Sequence, residues 1–204
     1  MNTVITIARS YGSGGRTLGK LLGKELGLPV YDREIIGMAS EESGINEALF
    51  GKQDEVLNEK AWTSFLKRVF GGTGSAADVT SEEKLFEYQS NVIKKLAEKE
   101  SCIIIGRCAD YVLRNYPHVI KLYFYASKNE CIERVRRQNG GTDKDIRDMI
   151  ETTDKLRAAY YKHHTGRNWN DVANYDACFN TGIMEYDQLV DVVKAYIEAK
   201  EKTL

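Results

Sequence analysis

The chain has 204 residues, 42% of them hydrophobic and 29% charged, so it can bury one sizeable core, and the economical count is a single domain spanning 1–204. Its 29 basic and 30 acidic residues leave a net charge of -1, which excludes a surface-wide field that recruits nucleic acid or a membrane and makes any anion site local. No run approaches the roughly 20 apolar residues that span a bilayer, and the chain enters a strand at once without a signal-like segment, which predicts a cytoplasmic protein.

Val4 to Ala8 is a short apolar run with β-branched residues and reads as a buried strand, followed by Gly12-Ser13-Gly14-Gly15 and a helical pattern from Arg16. A tight turn between strand and helix needs one or two glycines. Three, with Arg16 and Thr17 directly behind them, point instead to a loop that turns its backbone N–H groups inward and holds phosphate oxygens at a helix N-terminus. The match to the phosphate-loop pattern G-x-x-x-x-G-K-[ST] is imperfect: if Gly15-Arg16-Thr17 is its end, Ser10 replaces the first glycine and Arg16 the lysine.

Leu18, Leu21, Leu22 and Leu26 then recur at helical spacing, and Gly27 closes the helix. Pro29-Val30-Tyr31 reads as a brief second strand ending at Asp32-Arg33. In open α/β sheets ligands collect at the carboxyl ends of strands, so both residues are candidates to face the loop; Asp32 can equally cap the next helix, a role that leaves Arg33 without one.

From Glu34 to Glu100 the pattern is helical and polar, with helices expected over Glu34 to Ser43, Asn46 to Lys60 and Ser81 to Lys99, the last started by Thr80 or Ser81. Gly71-Gly72-Thr73-Gly74-Ser75 follows no strand and reads as a mobile connection. Trp62, Phe65, Leu66, Val69 and Phe70 read as core more readily than as a pocket lining. Cys102 to Ile105 suits a central strand and ends in Gly106-Arg107, where a planar guanidinium emerges at the sheet edge of the loop, either to clamp a phosphate or to pair with Asp110.

Val119 to Ala126 is a fourth strand, followed by a helix from Lys128 to Gln138. Strands separated by helices argue for a parallel sheet. Arg134, Arg136 and Arg137, the Gly140-Gly141 pair, and a helix from Asp143 to Lys162 carrying Arg147, Asp154 and Arg157 suit a lid over a polyphosphate; the alternative is a solvated face held by i,i+4 pairs. His163 and His164 read as structural or solvent exposed, and Cys102, Cys108, Cys131 and Cys178 as small buried hydrophobes with no zinc spacing. Asp176 to Asn180 is a short last strand and Glu185 to Lys200 an amphipathic closing helix.

The runs VITIARSYGSGGRTLGKLL, YDREII, IIIGRCADYVL, IRDMIETTDKLRAAYY and YDACFNTG together resemble the cytidylate-kinase-like group of P-loop nucleoside monophosphate kinases over nearly the whole chain. The resemblance implies an α/β P-loop nucleoside-triphosphate fold: a five-stranded parallel sheet with helices on both faces, a helical acceptor-binding insertion over 33–100 and an arginine-rich lid over 134–165. It implies a kinase that uses ATP and Mg2+ and phosphorylates a small acceptor such as CMP, with nucleotides rather than nucleic acid or membrane as partners. Residue by residue, Gly12, Ser13, Gly14, Gly15, Arg16 and Thr17 would hold the triphosphate, with Thr17 on magnesium. Asp32, Arg33, Arg107, Asp154 and Arg157 would surround the acceptor and the transferring phosphate; Arg16, Arg107 and Arg157 would be catalytic, and Arg134, Arg137 and Arg147 would belong to the lid.

The departures are specific. A gap-free alignment puts Gly15, not Arg16, at the lysine position, and in either register the lysine is absent. Arg33 and Met38 stand where a cytidylate kinase has serine and arginine, and Ile150 replaces another arginine, which leaves open a non-nucleotide acceptor, while the missing lysine leaves open a regulatory protein that binds nucleotide without turnover.

Overall fold

The computed structural model describes residues 2–50 and 82–203. β1 (Val4–Arg9) is the centre of its sheet because apolar strands pair with it in parallel on both sides, β3 (Cys102–Ile105) on one and β4 (Val119–Tyr125) on the other. β2 (Val30–Tyr31) extends the sheet beyond β3 and β5 (Ala177–Asn180) beyond β4, giving the all-parallel order β2-β3-β1-β4-β5. The Asp176 carboxylate accepts the Lys121 N–H at 2.8 Å, which fixes where β5 begins to pair.

The pleat sends alternate side chains to opposite faces. Ile5, Ile7, Ile103 and Ile105 pack against Leu18 and Leu22 of α1 (Gly15–Leu26) and Val190 and Val193 of α8 (Tyr186–Glu201). Val4, Cys102 and Ile104 pack the other way, against α2 (Glu34–Ser43), α4 (Glu82–Lys99) and the short α5 (Ala109–Val112). α6 (Lys128–Asn139) and α7 (Asp143–Thr165) share a smaller apolar seam through Val135, Ile146 and Ile150. All strands point the same way, so the loop after β1, Asp32 after β2 and Gly106-Arg107 after β3 meet at one edge.

The expected helices agree with the observed ones within a few residues. α3 (Glu47–Phe50) lies within the helix expected over 46–60; the rest of that segment, Thr80 and Ser81, the 71–75 glycines and the aromatic residues at 62, 65 and 70 lie outside the described residues. α5 and a 3-10 turn over Val172–Asn174, capped by Asp171, lack a sequence signal of helical length. The four cysteines are free; three are buried and Cys178 is half-buried.

The two adjacent histidines separate. The His163 side chain is 51% exposed, whereas His164 is 4% exposed, stacked on Phe86 with ring centroids 4.1 Å apart and set edge-on to Tyr160. Burial, reinforced by His163, pushes the His164 pKa down to about 4. The unfolded chain therefore takes up this proton first, near its ordinary pKa of about 6.5, so stability is expected to fall as pH drops from there toward 4. Thermal melts between pH 4 and 8 test this: His164→Phe, which keeps the stacking, should flatten that part of the profile relative to the unaltered chain, and parallel profiles would rule it out.

Candidate functional site

The loop between β1 and α1 is built to expose backbone N–H groups. Gly12 and Gly14 have φ of 76° and 78°, in the left-handed region that side chains disfavour. Gly14 has a second constraint, because a Cβ there would collide with the Tyr186 hydroxyl. The buried Ser13 side chain turns inward, donating to the Ser10 carbonyl at 2.8 Å and accepting the Gly15 N–H at 3.3 Å. The Ser13 carbonyl is held away from the cleft by Arg134 Nη1 at 2.6 Å and by the Thr181 hydroxyl, and in a trans peptide this turns the Gly14 N–H to the opposite side. Beyond the Gly15 N–H, which Ser13 takes, α1 begins with no side chain on its N-cap Gly14 and no acidic residue in its first turn, so the N–H groups of Arg16 and Thr17 and the positive dipole end can face an anion.

This loop forms one wall of a cleft of about 530 Å³. Five arginines, Arg9, Arg16, Arg33, Arg134 and Arg157, line it among the described residues, against the single carboxylate of Asp32. In a chain of net charge -1 this is a strong local concentration of positive charge. A second cavity, of about 30 Å³, adjoins it at Arg9 and Arg157 and is lined by Gly106, Arg107 and Tyr160.

Asp32 faces the loop and is 3% exposed; its Oδ2 lies 2.6 Å from Arg16 Nε and its Oδ1 3.8 Å from Arg9 Nη2. It does not cap α2, whose N-cap is Arg33 with no side-chain bond. Arg33 is exposed at the cleft rim. Arg107 is 5% exposed, and its φ of 59° continues a left-handed run from Gly106 to Cys108. Asp110 is engaged elsewhere, accepting the Tyr161 hydroxyl at 2.6 Å, and its burial raises its pKa.

Residues 4–183 match the cytidylate kinase-like family. The chain belongs to that family. Among solved structures it is similar to an uncharacterized protein from Eubacterium ventriosum, 25% identical with a TM-score of 0.70, the match covering 97% of this chain and 99% of that one. A shikimate kinase from Bacteroides thetaiotaomicron (16% identity, TM-score 0.55, covering 96% and 98%) and a gluconokinase from Sinorhizobium meliloti (12%, 0.57, covering 98% and 94%) share the fold. A uronate isomerase of Corynebacterium glutamicum is 26% identical over 153 residues, which are 71% of this chain and 29% of that protein, so the chain spans under a third of its length. No described helix is long and apolar enough to cross a membrane.

Several residues expected around a cytidylate kinase-like site have other partners. Arg16, expected over the loop in place of the lysine, is directed to Asp32, because it stands about 100° further round α1 than Gly15. The Asp154 carboxylate does not line either cavity: it accepts the Tyr11 N–H at 2.8 Å, lies 3.4 Å from Arg157 Nη1, and its pKa is raised by burial. It ties α7 to the loop.

Arg134, expected in a moving lid, is a clamp: besides Ser13 it donates to the Thr181 hydroxyl at 2.9 Å and the Thr181 carbonyl at 2.6 Å. Arg137 and Arg147 are exposed and line neither cavity. Arg136 pairs with Glu133 on its own helix and with Asp143 across the Gly140-Gly141 turn, as on a solvated face. Arg157 does enter the cleft, bonded to the Arg9 carbonyl at 3.2 Å.

Sequence reasoning assigned no role to Arg9, Thr181 or Tyr186. Arg9 had a signal, an arginine ending an otherwise apolar strand. Thr181 and Tyr186 had none, because their contacts with the loop cross more than 160 residues of chain.

Proposed function

We propose that this protein transfers a phosphoryl group from ATP to a small acceptor, with a nucleoside monophosphate such as CMP as the leading candidate. The observation that carries this reading is the junction of two cavities, one walled by an anion-binding loop and one by buried Arg107, with Arg9 and Arg157 shared between them. That arrangement suits phosphates held in the larger cleft with fixed cations behind them, since the cavity at Arg107, about 30 Å³, has room for water-sized groups alone. Catalysis of this type is positioning and charge stabilisation, which backbone N–H groups and fixed guanidinium groups supply without a covalent nucleophile.

Gly12 to Thr17 hold the donor phosphates in this reading, Arg33 the acceptor with Arg107 behind it, and Arg157 the group in transfer. Thr17, exposed on the first turn of α1 and lining the cleft, fits a hydroxyl ligand for Mg2+, which when bound neutralises phosphate charge. The residues over 33–100 are assigned to the acceptor side and those over 134–165 to the covering side, and the substrates are those of a cytoplasmic enzyme.

The test is ADP release from Mg·ATP across nucleoside monophosphates and phosphorylated or hydroxylated metabolites. Acceptor-dependent ADP with a monophosphate supports the leading reading, and with a metabolite the kinase reading on a different acceptor. ATP binding with no acceptor-dependent ADP overturns both and favours the regulatory alternative, which the engagement of Arg16 by Asp32 and the absent lysine motivate.

A further inference from the structure

Gly15 is a glycine that its backbone does not require. It is the first residue of α1 and is absent from the positive-φ positions, so any L residue could adopt its conformation. What excludes a side chain is space: a Cβ on Gly15 would lie 2.7 Å from the Arg9 Cβ and 3.0 Å from the Phe124 Cβ. The Arg9 stem runs where a side chain from position 15 would start. At its far end the guanidinium lies against Gly106, where a Cβ would meet Nη1 and where the φ of 78° by itself calls for glycine.

Counting the phosphate-loop pattern G-x-x-x-x-G-K-[ST] with its second glycine at Gly14 puts Arg9 at the first glycine, Gly15 at the lysine and Arg16 at the Ser/Thr position, with the hydroxyl of Thr17 one residue later. The first two of these departures are explained together: the position that should be small is a cation, and the position that should be a cation is small. We propose that Arg9 is the phosphate-binding cation of this loop, its charge moved from the seventh position of the pattern to the first, and that Gly15 is a glycine in order to admit it. The proposal rests on the phosphoryl-transfer reading above for its catalytic part and on the loop alone for its binding part.

The setting fits. Arg9 is 8% exposed, lines both cavities at their junction, and lies 3.8 Å from the Asp32 carboxylate. A group there reaches toward the phosphates of a donor held by the loop and toward an acceptor phosphate in the larger cleft. Its planar fork can bridge two phosphate oxygens where lysine offers one point charge.

A set of three variants tests the exchange: Arg9→Gly, Gly15→Lys, and the two together, which returns glycine and lysine to the first and seventh positions of the pattern. Affinities for ATP, ADP and AMP are read by titration calorimetry, acceptor-dependent ADP release by steady-state kinetics, and folding by thermal melts. Arg9→Gly is expected to weaken ATP binding by about 10-fold or more while changing AMP affinity less than twofold, and to lower kcat by about 10²-fold. Gly15→Lys alone is also expected to lose ATP affinity, because the new stem meets Arg9. The double variant is expected to recover at least 10-fold over either single variant, a pattern that two independent structural losses cannot produce.

Arg9→Lys and Arg9→Met, which keep the stem, cover the case in which the double variant does not fold: the first should retain more ATP affinity than the second by about 10-fold or more. Equal ATP affinity in unaltered protein and Arg9→Met, or a folded double variant no better than its parents, overturns the proposal. Should the unaltered protein release no acceptor-dependent ADP, the calorimetric arm still decides the binding role of Arg9 while the catalytic reading fails separately.

Discussion

Arg157→Ala is expected to lower kcat by about 10²- to 10³-fold, the usual cost of removing one fixed donor aimed at transition-state charge. Arg157 is placed for this by α7: its side chain is 10% exposed, its Nη1 is held at 3.2 Å by the Arg9 carbonyl and at 3.4 Å by Asp154, and its guanidinium lies 5.5 Å from the centre of the Tyr11 ring. It needs no large rearrangement to act where the two cavities join.

Arg157→Lys keeps the charge but loses the planar fork and should fall between the two. The structural contribution is separated with Asp154→Asn, which removes the partner charge but not the guanidinium. If Arg157 serves only to hold Asp154, both variants will lose similar stability and activity; a kcat loss confined to Arg157→Ala identifies the direct role. Steady-state kinetics alongside thermal melts provide the measurement, and a kcat within about threefold of the unaltered protein would remove Arg157 from the mechanism.

The second large effect is on stability. Arg134→Ala removes three hydrogen bonds from one guanidinium, one to Ser13 and two to Thr181, and with them the link that ties α6 to the loop and to the residue after β5. Bonds to charged groups contribute about 1.5 to 3 kcal/mol each, and partial relaxation reduces the sum, so a loss on the order of 2 to 4 kcal/mol is expected in urea denaturation. ATP affinity should fall as well, because the Ser13 carbonyl loses one of the groups holding it away from the phosphates. Arg137→Ala and Arg147→Ala, exposed and outside both cavities, should stay within about 0.5 kcal/mol and leave turnover nearly unchanged. A lid role for all three arginines predicts the reverse, namely turnover losses at 137 and 147 with little change in stability at 134.

Much of this molecule is legible from short stretches. β1 and β3 are apolar on both faces because each is covered on both sides, so they appear in the sequence as continuous runs; the glycine loop stands out because φ near 76° at Gly12 and 78° at Gly14 suits little else. The placing of Asp32 and Arg107 at the loop's edge follows from parallel strands alone. Histidines 163 and 164 show where such reading stops: they are neighbours in sequence, yet one is exposed and the other is stacked on a phenylalanine 78 residues away. Spacing along α7 carries no information about what α4 presents to it.

The arginines show the same limit at the site. From the residues alone one reads a glycine loop after the first strand, arginines gathered near it, and the absence of the loop lysine. The sequence could not say which arginine does what, because a long flexible cation is assigned by its partner rather than by its position. Tertiary structure decided that Arg134 clamps the loop, that Arg16 goes to Asp32, that Asp154 serves the Tyr11 backbone, and that the stem of Arg9 occupies the space beside Gly15. Each of those outcomes depends on which surfaces packing brings within a few ångströms, and that is a property of the folded chain rather than of any motif in it.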